Sequence, residues 1–378
     1  MVAVVLLAWY GATRQKPAEE QAQAPAPAET AAPIKIGAII PLTGDAATYG
    51  EMVRDVQQLA VEEVNASGGV NGRMLEFVVE DGKCNGKDAA NAMQKLVNVD
   101  QVKAVLGGFC SSESLAALPI AEQNKVALFS LGSSSPDLTG KSPFFMRDYP
   151  SDASQGQVLA DVAAKKGWKK VAFIQEQLDY PLGIYKAFSA QFEKSGGTLV
   201  KEEFATTTTD FRSSLTKLRG EKPDALFIDT QTPASGERVL KQVGELKWSV
   251  PLLISDTFAG DKTTVEAHAG ALEGALAAEF GIDPENAKFK ALLSGFNARY
   301  GRDVTFQSYA QTVYDGVYML RDALQAVGED GEKLAQWLRS VISWEGASGS
   351  VTIGSDGDRV GGHTPKVIKA GKVELLTE

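Results

Sequence analysis

The chain is poor in the residues that carry most hydrolytic and metal chemistry. Among 378 residues there are only two cysteines and two histidines. Neither His268 nor His363 has a nucleophile partner evident in the sequence, and no strand–Gly-x-Ser-x-Gly–helix elbow is present. Gly140-Lys141-Ser142 resembles the end of a phosphate loop, but Ser135 replaces the required first glycine and Pro143 stands where a helix should begin. These absences argue against an enzyme, and no metal or other cofactor is expected. A long basic run is missing too: 48 acids face 38 bases for a net charge of −10, which argues against binding nucleic-acid phosphates. The apolar run at residues 2–8, seven residues long, is too short to span a bilayer.

What remains is the composition of a globular protein, 44% hydrophobic and 23% charged, with enough length for two domains. Residues 1–33 stand apart from the fold. Residues 2–8 resemble the apolar core of an export signal. Residues 16–33 are a low-complexity stretch of Ala, Pro, Glu and Gln that reads as a flexible leader or tether. A truncated lipoprotein signal or an arbitrary starting point fits the same residues, and no cysteine for lipid attachment lies nearby.

From Ile34 onward strands and amphipathic helices alternate. Strands are expected at 34–40, 75–80, 104–106, 170–175, 198–204, 225–229 and 252–255. Helices are expected at 52–64, 89–99, 154–166, 183–195, 211–219 and 236–245. This is the rhythm of an α/β fold with doubly wound parallel sheets, in which ligands bind beyond the carboxyl ends of strands.

The most informative junction runs Ala104-Val-Leu-Gly-Gly-Phe-Cys-Ser-Ser-Glu-Ser-Leu115. A buried strand ends in two glycines, and a helix opens at Ser111. The first N–H groups of a helix have no internal partner and favour negative charge, so a small carboxylate is a natural guest. The pattern recurs at 126–138 with Gly132, Ser133, Ser134 and Ser135 ahead of Pro136, a residue suited to a first helical turn. Serine also caps helices without any ligand, so spacing alone admits both readings. Cys84 and Cys110, the latter inside this junction, read as one disulfide in an exported protein, worth about 3 kcal/mol. Two buried thiols or a metal pair are the rivals, the second disfavoured by the lack of nearby histidine.

Several motifs then occur in an order that resembles a known family. They are Ile36-Gly-Ala-Ile-Ile-Pro-Leu-Thr-Gly-Asp-Ala-Ala-Thr-Tyr-Gly50, Glu63-Val-Asn-Ala-Ser-Gly-Gly-Val-Asn-Gly72 and Glu80-Asp-Gly-Lys-Cys84. They continue with Gly107-Gly-Phe-Cys-Ser-Ser112, Ser133-Ser-Ser-Pro-Asp-Leu-Thr139 and Ser308-Tyr-Ala-Gln-Thr-Val-Tyr-Asp-Gly316. The chain from Ile34 resembles the type I periplasmic binding proteins that serve branched-chain amino acid ABC transporters. The resemblance implies two α/β lobes joined by three hinge crossings near Asp152, Phe280 and Thr364. The first lobe then comprises 34–152 plus 280–363, and the second 153–279 plus 364–378.

It also implies a site. Carboxylate binding falls on Ser111, with Ser134, Ser133 and the Gly132 carbonyl beside it. Asp256 takes the α-ammonium from the opposite lobe, although leucine binders carry glutamate there. Tyr49 and Tyr180 pack over the ligand, Gln231 stands where leucine binders have an aromatic, and Phe109 and Phe306 are candidate side-chain walls. The implied role is a monomeric, exported protein, periplasmic or otherwise extracytoplasmic, that captures a small neutral or branched-chain amino acid and delivers it to an ABC-transporter permease. The alternatives are a binder of an aromatic acid, amide or other small carboxylate, or a ligand-sensing receptor or regulator of the same fold.

Overall fold

The structure, a computed structural model, describes residue 1 and residues 32–377. The signal-like segment and the leader expected within 1–33 lie almost wholly outside the described residues.

Two parallel sheets organise the chain. β1 (Ile34–Ile40), β2 (Leu75–Asp81), β3 (Ala104–Gly107), β4 (Ala127–Ser130) and β5 (Phe145–Arg147) form the first, in the order β2-β1-β3-β4-β5. Between them run α1 (Ala47–Ala66), α2 (Gly86–Asn98) and α3 (Ser111–Gln123). Alternate strand residues point to opposite faces. Ile36, Ile40, Leu106 and Phe129 therefore enter one core, and Ile39, Val105, Leu128 and Phe145 the other. Both faces are buried, so these short strands read as nearly continuous apolar runs.

The second lobe begins at α4 (Asp152–Lys165). There follow β6 (Lys170–Glu176), α5 (Asp179–Lys194), β7 (Thr198–Phe204), α6 (Arg212–Gly220), β8 (Ala225–Asp229), α7 (Pro233–Glu245) and β9 (Leu252–Ile254). Three short helices, α8 (Asp256–Ala259), α9 (Lys262–Ala267) and α10 (Ala269–Leu272), lead to β10 (Leu276–Phe280). The chain then returns to the first lobe with α11 (Ala287–Tyr300), α12 (Gln307–Val327), α13 (Gly331–Arg339) and the hairpin β11 (Trp344–Gly346) and β12 (Gly349–Val351). α11 and α12 bury Phe289, Phe296, Val313 and Leu320 in the core beneath the first sheet. β13 (His363–Lys369) and β14 (Lys372–Leu375) complete the second sheet, whose order is β14-β13-β10-β9-β8-β6-β7. Its last two strands run antiparallel, an edge the strand–helix rhythm did not signal.

The disulfide joins Cys84, just past β2, to Cys110, the cap of α3. Glu113 reinforces the junction: its two oxygens accept from the Cys84 and Cys110 amides, each at 2.9 Å. Burial pushes the Glu113 carboxyl up to about 7. The second serine-rich junction differs from the helix expected there. Only a three-residue 3-10 turn, Pro136–Leu138, forms, capped by the Ser135 hydroxyl. The helix stops because Thr139 is extended and Gly140 is left-handed (φ 67°). The Arg147 guanidinium claims the Ser133 and Ser135 carbonyls and the Thr139 hydroxyl.

Candidate functional site

The carboxyl ends of both sheets meet in a closed cleft. Its innermost cavity is lined by Tyr49, Phe109, Cys110, Ser111, Gly132, Ser134, Tyr180, Gln231, Thr257 and Tyr309. Its volume is about 10 Å³, room for about one water molecule. The expected residues Tyr49, Phe109, Ser111, Gly132, Ser134, Tyr180 and Gln231 are thus brought together from segments far apart in sequence. Ser111 stands at the first turn of α3, buried, with its hydroxyl accepting from the Ser135 amide at 3.0 Å. The N-terminal end of the α3 dipole faces the same space. The Ser134 hydroxyl is buried with no hydrogen-bond partner.

Three of the expected residues stand outside this cavity. Ser133 turns inward, its hydroxyl donating to the Gly108 carbonyl at 2.6 Å and meeting Ser114 Oγ at 2.7 Å. Phe306 packs tilted behind Tyr49 with ring centroids 4.4 Å apart, and lines a separate groove of about 410 Å³. Asp256, the first residue of α8, is screened by phenols. Tyr149 and Tyr309 donate to one of its oxygens at 2.7 and 2.9 Å, and Tyr180 donates to the other.

Tyr149 and Tyr309 were not anticipated. They belong to the core of the first lobe, so their hydrogen bonds to Asp256 tie the two lobes together. Tyr49 adds another tie, directing its hydroxyl at the carbonyls of Thr257 (3.3 Å) and Gln231 (3.5 Å). Asp45–Arg238 (2.9 Å) and Asp137–Lys186 (2.7 Å) bridge the lobes at the surface.

The second lobe carries an excess of buried acid. Asp152 is held by its amide to the Ser134 carbonyl at 2.8 Å, while its Oδ2 has no partner. Both carboxylate oxygens of Asp229 are buried and unpaired. Burial, and then the negative charge of Asp256, hold the Asp152 carboxyl well above the usual range. Asp229 is raised by burial first and by Asp152, Glu176 and Asp256 after it. Burial together with Asp256 moves Glu279 up to about 8. Such a pocket is electrostatically prepared for a cation.

His363, expected to lack a nucleophile partner, places Nδ1 2.6 Å from Ser154 Oγ, with Nε2 4.0 Å from Asp256. Ser154 lines none of the cavities described here. Its hydroxyl also contacts the Ser151 carbonyl and the His363 amide, as a structural clasp does. Burial pulls His363 down to about 4. Among the described residues no cluster of three or more His, Cys, Asp or Glu is placed to hold a metal ion.

Two α/β lobes closed over a buried polar site define the fold of type I periplasmic binding proteins. The model of that family, described as periplasmic binding protein, matches residues 33–367, and the chain belongs to it. It is 30% identical over 316 residues to an amino acid binding protein of Pseudomonas aeruginosa, covering 82% of this chain and 83% of that one. A leucine-, isoleucine-, valine-, threonine- and alanine-binding protein of the same organism is 29% identical over 332 residues, covering 86% and 87%. Among solved structures, the leucine binding protein LivK of Thermotoga maritima superposes with a TM-score of 0.83 at 29% identity, covering 91% of this chain and 98% of that one.

Proposed function

We propose that this chain is an extracytoplasmic solute-binding protein that captures a small neutral amino acid between its lobes and delivers it to the permease of an ABC transporter. The observation that carries the reading is the start of α3. There Ser111 opens a 13-residue helix and lines the interlobe cavity, with the Asp256 carboxylate across the cleft. A zwitterion satisfies both ends at once. Its carboxylate meets Ser111, the neighbouring Ser134 and the helix start. Its ammonium takes up the Asp256 charge, replacing phenolic donors such as Tyr180 and Tyr309, with the unpaired Asp152 oxygen as a second acceptor. Relatives named for binding leucine, isoleucine, valine, threonine and alanine support this class of cargo.

The chain performs no chemistry on its ligand in this account; it binds, closes and releases. The cavity of about 10 Å³ holds no amino acid as it stands, so the lobes part on loading. A ligand drives reclosure only through contacts absent from the open form, and a swing from 1:99 to 99:1 takes about 5.5 kcal/mol. Among the described residues no helix is long and apolar enough to cross a membrane. The family's role supports export and a separate permease as the receiving partner.

The test is a thermal-shift screen of the neutral amino acids, each beside its methyl ester and its N-acetyl derivative. Stabilisation by the free amino acid that is lost on blocking either end supports the reading. Equal stabilisation by benzoate or by an N-acetyl derivative overturns the ammonium half of the site.

A further inference from the structure

The side-chain end of the ligand site is closed on its apolar side and open on its polar side. The Tyr49 ring lies 5.5 Å from that of Phe109 and 4.4 Å from that of Phe306, centroid to centroid. Phe109 also fills the space over Gly132, where a Cβ would sit 2.5 Å from its ring. In the closed form these rings fill the apolar side of the inner cavity and separate it from the groove behind Phe306.

Gln231 makes the opposite boundary. It is 6% exposed, and it lines both the inner cavity and a vestibule of about 600 Å³ at the mouth of the cleft. Its backbone is fixed: the amide donates to Glu176 at 3.0 Å and the carbonyl accepts from Tyr49. Its side-chain oxygen is buried with no partner. Beyond it the vestibule presents a run of hydroxyls, Thr206 to Thr209, together with Thr232. Charges of both signs line the vestibule, and Arg238 is paired with Asp45 at 2.9 Å, so the chamber favours neither a cationic nor an anionic tail.

Resting on the capture reading above, we propose that the side chain of the captured amino acid points past Gln231 into the vestibule, and that the preferred cargo carries a hydroxyl or carboxamide. A hydrogen-bond donor on the ligand satisfies the orphaned Gln231 oxygen and then meets the threonine hydroxyls. An aliphatic chain leaves that oxygen buried and unpaired, the costlier outcome.

Calorimetric titration of the full chain with threonine, glutamine, valine and leucine tests this, alongside Gln231→Met and Gln231→Glu. The polar pair should bind on the order of ten-fold tighter than the aliphatic pair. Gln231→Met, which keeps the shape and removes the polar atoms, should erase or invert that ratio. Gln231→Glu, which keeps an acceptor, should retain it. Circular dichroism and melting of the unliganded variants establish that each is folded, and the Gln231→Glu result carries the test if Gln231→Met is not. Leucine binding as tightly as glutamine in the wild type, or a Gln231→Met change equal for all four ligands, overturns the assignment while leaving amino-acid capture intact. Failure of all four to bind removes the capture reading itself.

Discussion

Replacing Asp256 by asparagine keeps the shape of the side chain and removes the charge on which three phenols converge. Two of those phenols, Tyr149 at 2.7 Å and Tyr309 at 2.9 Å, come from the core of the first lobe, while Asp256 belongs to the second. A hydrogen bond to an ionised acceptor contributes about 1.5–3 kcal/mol, against about 0.5–1.5 for a neutral one. Each lobe-to-lobe bond therefore weakens by about 1 kcal/mol, and the pair by about 2 kcal/mol. That shifts the closed-to-open ratio of the empty protein by about thirty-fold. The ammonium loses its counter-charge at the same time, so affinity for amino acids falls by more than closure alone accounts for. Small-angle scattering of the empty variant should show a larger open fraction than the wild type, and calorimetry should show binding at least a hundred-fold weaker. An empty Asp256→Asn protein as compact as the wild type, with unchanged affinity, would refute both the latch and the ammonium site.

Three further expectations follow from other parts of the structure. Ser111→Ala removes the acceptor of the Ser135 amide, so it should lower stability by about 1–3 kcal/mol in urea titrations and cut ligand affinity at least ten-fold. Reducing the Cys84–Cys110 disulfide, which closes a loop with a sequence separation of 26, should cost about 3.5 kcal/mol in chain-entropy terms. A melting temperature unmoved by dithiothreitol would contradict this. His363 titrates near 4 when folded and near 6.5 when unfolded, so between those values the unfolded chain holds the extra proton. The His363 contribution to stability should therefore be lost as pH drops below about 6.5, by about 2 kcal/mol at pH 5 relative to pH 7.5, against the opposite contributions of buried carboxyls such as Glu113 and Glu279. His363→Gln should flatten that part of the profile, and an unaltered profile would show that another group carries it.

Much of the fold was legible because local signals and tertiary packing agree. The strands at 198–204 and 225–229 match β7 and β8 residue for residue, β8 buried throughout and β7 an edge strand anchored by Phe204. Helix starts were less legible. α5 begins at Asp179 and not at 183, because Tyr180 and Pro181 fit a first turn despite interrupting the apolar repeat. β9 ends at Ile254, leaving Ser255 to cap the four-residue α8.

The site divides in the same way. Ser111 was visible because a strand, two glycines and a capped helix lie within one short stretch. Tyr149 and Tyr309 stand 107 and 53 residues from Asp256, and no local pattern marks a tyrosine as pointing at a distant carboxylate. Unpaired acids are harder still. Asp152 reads as an ordinary residue in a first helical turn, and Asp229 as the last residue of a strand, until their surroundings are known. The inward turn of Ser133 depends on side-chain direction, which spacing does not fix.

The most direct measurement is a crystal structure of the chain with a neutral amino acid bound. The account predicts the ligand carboxylate within hydrogen-bond distance of Ser111 and the first amides of α3, the ammonium within reach of Asp256, and the lobes closed around both. A ligand lodged only in the outer vestibule, or one reversed so that its carboxylate faces Asp256, would contradict it.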